Sequence, residues 1–195
     1  MFRNKTRWII AGIVIAIPVV AVGWWLASPL FLNATVDESF PLSSGATVPE
    51  GMTQAEVEQV MSDMAKVEQE ATEAMPVGAD TAAQVKSGSF RDADSFHKGS
   101  GRATIYRPPD GSHVLRLEDF NVTNGPDLHV YLSAHPNPAS SEEIKQGGYV
   151  DLGSLKGNIG NQNYVIPADV DVSAMQSVII YCQPFHVIFS VASLQ

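Results

Sequence analysis

Cysteine is almost missing from this chain of 195 residues: Cys182 is the only one. An internal disulfide is therefore impossible, and with no cysteine near the N-terminus a lipoprotein anchor is not expected either. Clustered positive charge is also missing. The net charge is -9 and no basic stripe interrupts it, which argues against a nucleic-acid partner, because phosphate neutralisation needs gathered Lys and Arg. The chain has no phosphate loop, nucleophile elbow or Ser-His-Asp signature, so an ordinary hydrolase or kinase is not expected. No two histidines have zinc-site spacing on their own. Glu118 with Asp119, and Glu142 with Glu143, read as solvated turn or strand-end residues rather than an acid/base pair.

What is present begins with a long apolar run. From Trp8 to Leu32 the chain carries no charge, and at about 1.5 Å per residue that run is long enough to cross about 30 Å of hydrocarbon. Arg3, Lys5 and Arg7 precede it, while Asp37 and Glu38 follow. The positive-inside bias then predicts a cytoplasmic N-terminus and an extracytoplasmic remainder, in a single-pass protein of the cell membrane. Trp8, and Trp24 with Trp25, suit the two interfaces. No small-x-small site follows, which favours an anchor over a cleaved signal peptide. Residues 1–32 are thus read as tip and anchor, with the bilayer as partner through residues 8–32.

Residues 33–83 carry ten of the 21 acids against a single base, Lys66, and read as an acidic linker. Within it, Thr53 followed by Glu56 forms a capping box, and Val57, Val60, Met61, Met64, Val67 and Ala71 recur at three- and four-residue spacing. An amphipathic helix over 53–75 is predicted, closed by Pro76 and Gly78. Its Val/Met stripe is expected to dock on the domain behind it rather than on a partner helix.

From residue 84 onward the apolar period changes to two. Gly101 to Arg107 and His113 to Phe120 flank Pro108-Pro109-Asp110-Gly111, a turn sequence between two apolar-rich runs. Leu128, Val130 and Leu132 alternate with polar neighbours. Tyr149 to Leu152, Asn163 to Ile166, Ser177 to Cys182 and Val187 to Val191 follow as short strands. The prediction for 84–195 is an all-β domain, an antiparallel β-sandwich.

Gly88-Ser89-Phe90, the hairpin above, Gly125-Pro126-Asp127-Leu128 leading into a strand, the run Leu152-Gly153-Ser154-Leu155-Lys156-Gly157-Asn158-Ile159-Gly160-Asn161-Gln162-Asn163-Tyr164, and the closing Val178 to Phe189 together resemble the DM-thirteen domain. That β-rich module is often found beside DOMON domains. The resemblance covers about Gln84 to Leu194. It implies a proposed electron-transfer role in which a near-terminal cysteine, here Cys182, reacts as a bare thiol or ligates a prosthetic group such as haem. Tyr181 stands where the family has Trp.

The residues around Cys182 leave two readings open. Gln183-Pro184-Phe185 reads as a hairpin loop, which would set Cys182 opposite His186 with Cβ atoms about 5 Å apart, and an imidazole there would ease loss of the thiol proton. Alternatively, Cys182 shares a face with Val178 and Ile180 and is a small buried hydrophobe. Cys182 with His186 and an upstream His129, His135 or His113 also matches how a cupredoxin-like copper site is supplied, without the usual Met. His97 and His113 read as surface residues and His135 as a loop residue. Candidate site residues are therefore Cys182, His186 and Tyr181, with haem or copper as possible cofactors and an unknown redox or protein partner. The rival class is a non-catalytic binding or adhesion sandwich, and an enzyme in the strict sense is not expected.

Overall fold

In the computed structural model, residues 47–75 and 82–195 are described. They fall within one of two units of the chain, Ser39–Gln195. The apolar run Trp8 to Leu32, most of the linker after it, and Pro76 with Gly78 lie outside the described residues. Among the described residues no helix is long and apolar enough to cross a membrane.

Eight strands carry the domain: β1 (Ala83–Asp92), β2 (Gly99–Arg107), β3 (His113–Val122), β4 (Leu128–Ser133), β5 (Tyr149–Ser154), β6 (Ile159–Ile166), β7 (Ser177–Cys182) and β8 (Val187–Ser193). They form one sheet in the order β5-β4-β7-β8-β1-β2-β3-β6, and every strand pair is antiparallel. β1 turns the corner. Its Ala83 to Ser89 stretch pairs with β2, and Phe90 to Asp92 pair with β8. The sheet so curls into a nearly closed barrel with sandwich-like packing, in which the end strands β5 and β6 approach one another. Alternation then sends Leu115, Leu117, Val130, Leu132, Val178 and Ile180 into a shared interior, as the period of two requires.

Helix α1 runs from Gln54 to Ala65, and its capping box is formed: the Thr53 hydroxyl accepts from Glu56 N–H while the Glu56 carboxylate accepts from Thr53 N–H. Val57 and Met61 are buried in the barrel cluster. The predicted helix continued to residue 75, and the structure corrects this. Beyond Lys66 the chain becomes extended and lies along the free edge of β6, where Ala71 N–H donates to Ile159 O (2.9 Å) and Glu73 N–H to Asn161 O (2.7 Å). An unpaired strand edge offers backbone partners that outcompete further helical turns. A second short helix, α2 (Ser141–Gly147), capped by Ser140, covers the outer face of β4 and β7 with Ile144.

Candidate functional site

Along β7, Val178, Ile180 and Cys182 face the interior cluster, whereas Ile179 and Tyr181 belong to a smaller outer one beneath α2. The hairpin that follows departs from the expectation. Cys182 pairs with Val187, not His186. His186 lies in the turn itself with φ 56, because the loop uses it as a left-handed closing residue and the ladder resumes only at Val187. The imidazole therefore sits on the outer side, 3.1 Å from Thr47 Oγ1 and 6.4 Å from the Tyr181 ring. Tyr181 and His186 come together; Cys182 is not with them.

The thiol occupies a closed chamber. Cys182 is 0% exposed, and its Sγ–H donates to Pro126 O at 3.1 Å. Leu128 is its partner on β4. The Gly125-Pro126-Asp127-Leu128 motif thus acquires a physical role: it forms one wall of that chamber. A Cβ on Gly125 would come within 2.5 Å of the Phe189 ring, so only glycine lets the wall close. Burial pushes the thiol up to about 12, against a Phe185 backbone hydrogen bond that works the other way, and the charge of Asp127 adds to the rise. At neutral pH the sulfur is a protonated, weakly nucleophilic thiol.

On the outer face the rings of Tyr149, Tyr131 and Tyr181 stack in a row, with centroids 4.5 and 4.9 Å apart. Only Tyr149 is substantially exposed. The Tyr181 hydroxyl lies 2.9 Å from Ser141 Oγ, which donates to His186 O. Burial raises the Tyr181 pKa, partly opposed by that Ser141 contact. This row escaped the sequence reading because the rings come from three separate segments. Only the strand order β5-β4-β7 makes them neighbours.

The remaining histidines are dispersed. His129 is held between Asp151 (2.9 Å) and Asp127 (3.3 Å). His135 accepts from Asn137 N–H in its loop, and His113 opens β3 opposite Ile166. His97 was expected at the surface, yet it is fully buried. Its Nδ1 lies 2.7 Å from Asp94 and its ring meets Phe189 edge-on at 4.3 Å, an aromatic contact that a short polar stretch does not announce. Burial lowers its pKa, against the pull of Asp94. Among the described residues no three His, Cys, Asp or Glu side chains gather as a metal set would. Because Sγ is enclosed and His186 faces away from it, the residues as folded do not fit a copper ion or a haem at Cys182.

Compared with known families, the chain matches the model described as Electron transfer DM13 over residues 89–194. No curated protein and no solved structure matches it.

Proposed function

The chain belongs to the electron-transfer DM13 family, and from that membership we propose that it is a membrane-anchored, extracytoplasmic redox module whose reacting group is the thiol of Cys182. The observation that carries this reading is the extent of the family match, which runs from the end of β1 through β8 and includes the only sulfhydryl of the chain. With no second thiol in the chain, oxidation of Cys182 links two chains: each thiol gives one electron to an external one-electron acceptor and its proton to water, and the two sulfurs form an intermolecular disulfide. Full burial of the sulfur suits that role, since a thiol kept from water is shielded from adventitious oxidation. Support for the anchor comes from the charge-free run Trp8 to Leu32, preceded by Arg3, Lys5 and Arg7 and no acid.

The test uses the full-length chain in detergent micelles. Pre-reduced protein is mixed with ferricyanide, and the electrons delivered per chain are counted by absorbance, beside a Cys182→Ser variant shown by circular dichroism to keep its β structure. Wild type is expected to deliver about one electron per chain on the seconds-to-hours scale of thiol chemistry, and the variant none. Equal delivery by both proteins would remove Cys182 from the mechanism; no delivery by wild type would remove the electron-transfer reading.

A further inference from the structure

A reacting thiol that is fully enclosed needs a way in, and we infer that α1 is its door: the arm from Thr47 to Val67 swings away from the barrel end while residues 69–74 remain attached as the hinge. This inference rests on the proposed role of Cys182 and adds how the thiol is reached.

The two segments that enclose the sulfur are each tied to the arm. Thr47 N–H donates to Phe185 O (2.8 Å) in the turn that follows Cys182. Asn124 Nδ2 donates to Val67 O (2.9 Å) from the loop whose Pro126 carbonyl accepts the thiol hydrogen bond. Between these ties α1 inserts Val57 and Met61 into the same apolar cluster as Cys182. A crevice already opens alongside, lined by Met64 of α1 and by Asn124, Asp127 and Leu128 of the chamber wall.

The fastening of the arm is uneven, and that unevenness separates door from hinge. Residues 69–74 are held densely: Gln69 N–H by Asn158 Oδ1 (2.6 Å), Ala71 and Glu73 by β6 carbonyls, Glu73 by Lys156 Nζ and Asn163 N–H (2.7 Å each), and the Ala74 carbonyl by Arg116 and Asn163. The stretch before Gln69 relies on those two ties, the Thr47–His186 contact and apolar packing, with Val57 and Met61 fully buried and Met52 and Val60 partly so. A helix of 12 residues is marginal without its packing, so this stretch opens at lower free energy than the barrel. Opening would also bring the thiol towards the ordinary range for an exposed cysteine, raising both access and ionisation.

The decisive measurement compares two rates on the full-length chain: alkylation of Cys182 by iodoacetamide, and amide hydrogen exchange resolved to α1 and to β2–β3. Alkylation in wild type is expected to proceed with the opening of α1, much faster than exchange of β2–β3 amides. Met61→Asp, which undocks α1, is expected to speed alkylation at least tenfold with β2–β3 exchange unchanged. Ile105→Val, a barrel-core control, is expected to leave alkylation alone. The idea is overturned if alkylation in wild type keeps pace only with β2–β3 exchange, or if Met61→Asp speeds both together. Ferricyanide reduction that persists in Cys182→Ser would strike at the redox reading itself and leave the two rates as they stand.

Discussion

Burial makes the Cys182 thiol a weaker acid in the folded chain than in the unfolded one, and this couples its ionisation to stability. The folded value is about 12 against 9.0 for the unperturbed group. A neutral acid whose folded pKa is raised contributes in full below its unfolded value, and that contribution is lost as pH climbs through the window between the two. Below about pH 9 nothing changes; from there the unfolded state sheds a proton that the folded state keeps, and stability falls by about 1.4 kcal/mol per pH unit. Tyr131, Tyr164 and Tyr181 are raised as well, chiefly by burial, but from a starting value of 10.0. Comparison with Cys182→Ala removes their shared part. Denaturant unfolding is expected to show wild type losing about 1.4 kcal/mol more than Cys182→Ala between pH 7 and pH 10; parallel pH curves would mean that the thiol titrates freely in the native state. Of the features around this sulfur, its sharing a face with Val178 and Ile180 was legible from alternation alone. The placing of His186 was not, since a positive φ at one turn residue shifts the register and leaves no mark in composition.

The same contrast governs the secondary-structure elements. β2, β3, β4, β7 and β8 were readable because apolar alternation and a Pro-Asp-Gly turn survive in the sequence whatever the partners. β1 was not, for only Phe90 of its ten residues is buried, and its pairing role shows only once β2 and β8 stand on either side. α2 escaped notice although Ser140 and Glu143 carry a cap signal, because seven residues offer too little period to read. The end of α1 was misjudged for a different reason: residues 67–75 keep a helical stripe, yet β6 offers them a free edge. That edge also explains Gly157 and Gly160 of the Leu152–Tyr164 motif. A Cβ on Gly160, whose φ is 108, would stand 2.5 Å from Ala71 O, and one on Gly157 would meet Gln69 O. Gly160→Ala combines strained backbone with a clash against backbone, and is expected to destabilise the domain by about 2–4 kcal/mol. A shift in the urea midpoint, with faster exchange at Ala71 and Glu73, is the readout. A cost under about 0.5 kcal/mol, the range of ordinary surface substitutions, would show that the extended segment is not held against β6.

Charge is distributed along the chain in a way that bears on its orientation. Three bases and no acid lie before residue 33; ten acids and one base occupy 33–83; eleven acids and eight bases occupy the rest. The β domain makes no use of the three N-terminal bases: among the described residues Lys98 pairs with Asp92 nearby, and Lys156 pairs with Glu73 of the acidic segment. An anchored chain would use the three bases alone, since Lys and Arg near the end of a span resist translocation while acids contribute little to the choice. The gradient therefore predicts orientation through three residues only. In bacterial spheroplasts, external protease is expected to degrade the domain of the wild-type chain, with the chain remaining in the membrane fraction after alkaline carbonate washing. Replacing Arg3, Lys5 and Arg7 together by Glu removes the retained charge and leaves the apolar run intact, so the triple variant should still reach the membrane fraction but show a protected domain in about half or more of the molecules. Wild-type protein released by carbonate would undo the anchor, whereas equal protease sensitivity in wild type and triple variant would mean that something other than these bases sets the orientation.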